Sequence, residues 1–541
     1  MSRFPLTRRN VLKLGASAAL LPQALPAELF AQTSERVLRY GISMADIPLT
    51  NGQPDRGAGA YQFTGYTLYD PLVAWEMNVA DRQGKLVPGL ATSWSSDPAD
   101  RKRWTFKLRE GVKFHDGSSF DADAVIWNFE KVLNPQAPHF DPRQSSQVRT
   151  RLPSIASWKK IDATTVEVMT KMVDSLFPFQ LLWFLISSPA QYEKLGRDWE
   201  KFAFEPSGTG PFKLAKLTPR EQCELVRNAD YWNKSRLPQV DKLILICIPE
   251  TLSRTSAVLS GSVDIIEAPA PDAVPKIKAA GLKLIDNVTP HVWNYHPSTL
   301  PGSPWTDLRV RKAANLAVDR NGIVELLGGL AKPAFGQVDP SSPWFGKPAF
   351  KLGYDVDAAR KLMSEAGYSR SNPLKSTFLV SNGGTGQMLS LPMNEFIQQN
   401  FRDAYIDVDF KVVELEALYT AWRQGAAHDA MKGIAANNVA YVTSDPLYAF
   451  VRFFHSNQIA PVGVNWSHYK NPVVDKIIDE AINTFDETAQ NTLMAKLHEV
   501  IVDDAVLIWV VHDANPHVAN ARVKGYVQAQ HWFQDLTTLS A

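Results

Sequence analysis

The sequence predicts an α/β protein built in at least two compact parts. Three observations carry this. The chain has 541 residues, and a single hydrophobic core rarely grows past about 250–300. Strand-like runs of period two alternate with helix-like runs in both halves of the chain. No long charge run or low-complexity tract interrupts them, so the bulk of the chain is expected to fold. No short repeat is detectable either.

The N-terminus comes first. Arg8 and Arg9 stand in TRRNVLKLG, followed by the apolar LGASAALLPQAL and small residues near Ala27 and Ala31. A basic start, a short apolar stretch and a small-residue exit describe a cleaved export signal. The run is shorter than the about 20 residues that span a bilayer. The paired arginines with Val11, Leu12 and Lys13 resemble a twin-arginine signal. Residues 1–31 are therefore read as a signal peptide, and the mature protein as soluble and outside the cytoplasm.

The mature chain opens on a strand, RVLRYGIS, and a Gly-rich connection, NGQPDRGAGAYQFTGYTLYDPLV. In RWTFKLREGVKFHDG, Trp104, Phe106 and Leu108 alternate with Thr105, Lys107 and Arg109, the pattern of a half-buried strand. Glu110-Gly111 and Asp116-Gly117 are turn dipeptides, so a hairpin is expected there. DADAVIWNFEKVLNP is a helix with Asp121 as N-cap, Val125, Phe129, Val132 and Leu133 on one face, and Pro135 as the stop. IDATTVEVMT and GTGPFKLAKL are strands, and SLFPFQLLWFLIS is a buried run. TLSRTSAVLSGSVDIIEA gives helix, Gly261, then strand. In the second half, DLRVRKAANLAVDRNGIVELLGG makes two helices split near Asp319. DVDAARKLMSEAGY is a helix with Gly367 just past its end. KSTFLVSN and IDVDFKVVEL are strands around a helix, and NPVVDKIIDEAINTF and ETAQNTLMAKLHEVIVDDA are helices. VLIWVVHDANPHVAN and VKGYV close the chain as strand-like pieces.

Composition narrows the function classes. A formal net charge of +1 argues against a nucleic-acid partner, which would demand a clustered basic face. Two cysteines, Cys223 and Cys247, exclude a disulfide scaffold and a cysteine-built zinc site. They are either paired across neighbouring strands or buried thiols. No GxSxG elbow, HExxH or phosphate loop ending in GK[ST] occurs, so a hydrolase is the weaker reading. SNGGTGQ at Ser381–Gln387 is read as a loop near a cleft. His455 with His468, and His512 with His517, lack helical one-face spacing and a third partner, so no metal or other cofactor is expected.

Several segments resemble the peptide/opine/nickel class of bacterial extracytoplasmic solute-binding proteins. They are LVPGLATSWSSDPADRKRWTFKLREGVKFHDGSSFDADAVIWNFEKVLNP, GTGPFKLAKL with LVRNADYWN, DLRVRKAANLAVDRNGIVELLGG and YKNPVVDKIIDEA, in the family's order along nearly the whole mature chain. The resemblance implies a hinged, two-lobed periplasmic-binding-protein fold of mixed sheets, with an extra subdomain in lobe 1. Lobe 1 would hold residues 35–290 plus 509–541, with the subdomain at about 72–205, and lobe 2 residues 291–508. It implies a substrate-binding component of an ABC importer, not an enzyme. A monomer would close on a small solute, oligopeptide-like, opine-like or glycoside-like, and deliver it to permease subunits in the inner membrane. A metal-chelate binder of the same fold is the alternative, a periplasmic hydrolase a more distant one, and a chaperone-like role a third class.

Peptide-binding members carry Trp-x-x-Asp just before an Asp-Pro, and the Asp holds the ligand's amine. Aligning on Asp445-Pro446 puts Val442 at that Asp and Val439 at that Trp. A buried ammonium without a carboxylate would be costly, so a free-amine peptide is disfavoured. Asp445 is left as a helix cap. Nickel-chelate members use an arginine where this chain has Leu182, Trp183, Phe184 and Leu185. Fifteen Trp and fifteen Tyr leave an aromatic and amide-bearing pocket as the expectation. Its candidates are Tyr61 and Gln62 from the Gly-rich loop, Trp183, Phe184, Trp293, Asn437, Asn438, Tyr441, Asn465 and Trp466. Arg423 and Arg452 are read as solvated charges rather than anion contacts.

Overall fold

A computed structural model describes residues 35–47, 61–384 and 386–541. The signal segment and most of the Gly-rich connection lie outside the described residues. Arg36–Ala541 forms one compact unit organised by two large mixed sheets.

The first sheet has seven strands, in the order Lys283–Ile285, His517–Ala519, Ile265–Glu267, Val37–Ile42, Lys242–Cys247, Gln222–Arg227 and Phe212–Thr218. Val37–Ile42 runs parallel to both neighbours at its centre, and its Leu38, Tyr40 and Ile42 are fully buried. The helix Thr251–Leu259 feeds Ile265–Glu267 through Gly261 at φ 75°. That conformation suits glycine.

The second sheet has six strands, in the order Ala331–Pro333, Ile508–Asp513, His291–Pro297, Ala436–Val442, Leu374–Ser381 and Ile406–Val413. Its helices start where the sequence places their caps. Asp319 and Asp355 accept from the amides of Gly322 and Ala358, and Gly367 follows the second helix at φ 94°.

A separate four-stranded sheet, Ala91–Ser96, Arg103–Leu108, Thr165–Thr170 and Ile155–Asp162, stands within the region expected for the extra subdomain. The helix Ala122–Leu133 packs beside it, and Asp121 accepts from the amide of Ala124 as its cap. Trp104, Phe106 and Leu108 are buried in the alternating pattern expected.

Three sequence expectations change. Arg103–Leu108 makes no hairpin with the residues that follow it; it pairs with Ala91–Ser96 and Thr165–Thr170. VKGYV is no strand, and only an isolated bridge from Lys524 to Ser540 forms there. Ile508–Asp513 pairs with His291–Pro297, and its Ile508, Val510 and Val511 fill the second core. The sheets therefore change over at 514–516, beyond the 508/509 division.

Cys223 lies opposite Leu245, not Cys247, on the adjacent strand, and both cysteines are free thiols. Among the described residues no helix is long and apolar enough to cross a membrane.

Candidate functional site

Two helical segments of the first lobe come together on their own hydrogen bonds. Tyr61–Gly65 is a wide helical turn that runs into Tyr66–Leu68. Tyr61 and Gln62 therefore sit on a helix, not in a loop. The buried run folds as two short turns, Phe177–Gln180 and Leu181–Trp183. The Tyr66 hydroxyl donates to the Leu182 carbonyl at 3.0 Å, and that of Tyr61 to the Trp183 carbonyl at 3.4 Å. The Tyr61 and Trp183 rings meet edge to face, 5.1 Å apart.

The second lobe meets them with the segment after Ala436–Val442. Asp445 Oδ1 accepts from the Tyr448 amide at 2.9 Å, the capping role expected of it. The turn Leu447–Val451 carries the Tyr448 ring to 5.1 Å from Trp183. Gln83 Nε2 donates to the Ser444 carbonyl at 2.8 Å across the same junction. Tyr61, Trp183 and Tyr448 thus form one aromatic seam between these segments.

Charge accompanies the seam. The Arg151 guanidinium lies 4.4 Å from the Trp183 ring centre and 4.8 Å from that of Tyr61. The Arg452 guanidinium covers the Tyr448 ring at 4.6 Å. Arg452 is buried, not a solvated charge as expected, while Arg423 is exposed. Burial pushes the Asp445 carboxyl up to about 7, against the opposing pull of the Tyr448 amide and Arg452. Trp183 Nε1, Arg151 Nη1, Tyr448 hydroxyl, Thr443 Oγ1, Ser444 Oγ and Asp445 Oδ2 are buried without a hydrogen-bond partner among the described residues. Buried polar atoms are normally paired.

The family model for bacterial extracellular solute-binding proteins, family 5, matches residues 85–461. The chain belongs to this family. It is 24% identical to the heme-binding protein A of Haemophilus influenzae over 87% of this chain and 86% of that one. It is 24% identical to the periplasmic oligopeptide-binding protein OppA of Escherichia coli, over 96% of each. The ABC transporter-associated periplasmic binding protein DppA of Helicobacter pylori, solved with peptide STSA, superposes with a TM-score of 0.78 at 22% identity. That match covers 94% of this chain and 98% of the other, and shows the shared two-lobed fold.

Within this family-5 fold, Tyr61 and Trp183 are the two sequence candidates at the seam. Gln62 faces a small cavity of the first lobe beside Arg236 and Asp535. Phe184 stacks on Phe129, ring centres 4.4 Å apart, in the subdomain core. Trp293 packs with Tyr295 in the second core. Asn438 donates to the Asn294 carbonyl at 2.8 Å and pairs in register with Tyr295. Asn437 pairs with His296 and has neither amide atom bonded among the described residues. The Tyr441 ring stacks on Phe453 at 4.0 Å, and its hydroxyl accepts from Gln337 at 2.8 Å. Asn465 organises its own turn through Tyr469, donating to its carbonyl at 2.8 Å and accepting from its amide at 3.1 Å. Trp466 belongs to a small separate cluster with Leu418 and Met431. Tyr448 and Arg151 were not among the candidates. For Tyr448 the signal was its place two residues after Asp445-Pro446; for Arg151 the sequence carries none.

Lys131 Nζ donates to Ser187 Oγ at 2.7 Å, and burial brings its pKa down to about 7, as in a serine–lysine pair. Both side chains are fully buried. Among the described residues no group of three or more His, Cys, Asp or Glu side chains could hold a metal.

Proposed function

We propose that this protein is the substrate-binding component of an ABC importer. It captures a small solute between its lobes in the periplasm and presents the closed form to the permease. The observation that carries the reading is the aromatic seam of Tyr61, Trp183 and Tyr448, with unpartnered polar atoms from both lobes around it. A ligand that binds only the closed arrangement shifts the equilibrium toward it by its differential affinity. Membership in family 5 supports the reading.

The lobes are read as divided at 286–290 and 514–516, the two strands of a hinge, with the extra subdomain at about 72–205. Export is by the twin-arginine route, on the strength of Arg8 and Arg9. The protein works as a monomer, without nucleic acid, and returns its ligand chemically unchanged. The ligand is not an ordinary peptide held by its amine, because Val442 takes the place of the amine-holding carboxylate. Aromatic faces and hydroxyls suit an opine-like conjugate, a glycoside-like solute or a blocked peptide.

Native mass spectrometry of protein purified from the exporting compartment tests this. One small molecule per chain, released intact on denaturation, is expected. A released molecule that the protein converts on incubation would make it an enzyme. A peptide with a free amine would overturn the reading of Val442.

A further inference from the structure

A second junction in the molecule uses none of the three seam rings. On one side is the turn before Phe177–Gln180. There the Ser175 amide donates to the Ile482 carbonyl at 2.8 Å, and its hydroxyl to the Ala481 carbonyl at 3.2 Å. On the other side is the turn between the helices Pro472–Ile482 and Glu487–Asp503. Gln490 Nε2, from the second of these helices, donates to Ser175 Oγ at 2.8 Å. The Phe485 ring, from the turn, stacks on Trp104 with ring centres 6.0 Å apart. The Arg101 guanidinium lies 4.6 Å from the centre of the same ring. Each side is also held by bonds of its own. Asp174 accepts from the Leu176 amide at 3.0 Å, from Gln180 Nε2 at 2.7 Å and from the Ser154 hydroxyl, which fixes the Ser175 turn. The Gln490 amide is shared with the Ala481 and Thr484 carbonyls at 3.0 Å each, which fixes the opposite turn. Both sides tolerate water. The Ala481 and Ile482 carbonyls belong to the last turn of a helix, where orphan carbonyls are met by solvent. Phe485 stays 36% exposed within the contact. Two preformed surfaces of this kind can part and rejoin as a unit, unlike the dry packing of a core.

We propose that this junction is a clasp of the extra subdomain, which forms as the lobes close and sets the share of the protein that stands closed. It rests on the proposed capture of a solute by lobes divided at 286–290 and 514–516, and adds a control of affinity to that reading. On that division Ser175 and the 481–490 segment lie in different lobes, and the chain joins them only through the hinge. Opening the hinge therefore breaks the contact and closing it restores the contact. Apparent affinity is the intrinsic affinity of the closed form, reduced by the fraction of protein that is closed. Arg101, Trp104, Ser175, Phe485 and Gln490 thus tune how tightly and how long a solute is held without meeting it.

The test uses the full mature protein. Its probe is the small-molecule fraction released when protein purified from the exporting compartment is denatured. The variant Ser175→Ala with Phe485→Ser removes the clasp and leaves the bonds within each turn in place. Without probe it is expected to melt close to the wild type. It should bind the fraction about three- to tenfold more weakly and release it faster, with the same mass bound in native mass spectrometry. Phe485→Ser alone, at a ring already part-exposed, should move affinity less and in the same direction. Unchanged affinity and release rate in the double variant would overturn the clasp while leaving solute capture intact. A change in the mass bound would also overturn it, since these residues would then be solute contacts. A melting temperature far below the wild type's, in the single variant as in the double, would make the contact core packing, and the proposal fails. A wild type that binds nothing from the fraction counts against solute capture itself.

Discussion

Tyr441 and Trp183 look alike in the sequence, each an aromatic in an apolar run, and differ in what they meet. The Tyr441 ring lies inside the second lobe against Phe453 and Trp422, with its hydroxyl tied to Gln337. Tyr441→Phe should cost about 1 kcal/mol of stability through that lost bond and leave affinity unchanged. Denaturant melts with a binding isotherm check both. Tyr448 instead spans the junction to Trp183, and its hydroxyl has no partner among the described residues. Tyr448→Ala should weaken ligand binding about tenfold or more with little change in folding. Titration calorimetry with the molecule released from native protein measures it. Trp183 and Tyr61 are flat rings that the sequence marks as pocket candidates, and the structure brings them together at the seam. Arg151 carries no such mark, because an arginine in a polar stretch looks like a solvated charge until the Trp183 turn folds over it. Phe184 and Trp466 were misplaced for the same reason in reverse: only packing tells a core ring from a cleft ring.

The elements were easier to read than the seam. Caps at Asp121, Asp319 and Asp355 act within a few residues of chain, so local pattern suffices. Strand partners do not follow from local pattern, and this is where the hairpin after Arg103–Leu108 failed. The change of sheet after Ile508–Asp513 was missed because a continuous apolar run hides where one core ends and the next begins. That change is now confined to 514–516, beside the first connection, where the Asn287 amide donates to the Ala514 carbonyl at 3.2 Å. Asn515 holds φ at 45° there and donates from its side chain to the Trp532 carbonyl at 2.8 Å. Asn515→Ala loses that bond and strains the left-handed backbone, about 1–3 kcal/mol in all. Asn515→Gly keeps the backbone relaxed and should lose less. The order of their melting temperatures, glycine above alanine, checks the left-handed backbone at Asn515.

At the scale of the whole molecule, burial has left an unusual set of neutral histidines. His115, His291, His296, His498, His512, His517 and His531 are all pushed down, mainly by burial, to about 3 or 4. Below about pH 6.5 the unfolded chain takes up a proton at each that the folded chain refuses. Stability should therefore fall on acidification, by up to about 1.4 kcal/mol per pH unit for each histidine. Asp445 and Asp513, pushed up by burial to about 7, run the other way below that pH and offset only part of the loss. Melting temperatures at descending pH should drop steeply; a flat or rising profile would contradict these burials. The function proposed for the whole molecule is closure of two lobes on a solute at the Tyr61–Trp183–Tyr448 seam. Small-angle X-ray scattering tests it most directly, on protein stripped of ligand by denaturation and refolding and on the same protein given back the released molecule. A smaller radius of gyration on reloading, lost in Tyr448→Ala, is the result this structure predicts. An unchanged radius with the molecule demonstrably bound would contradict it.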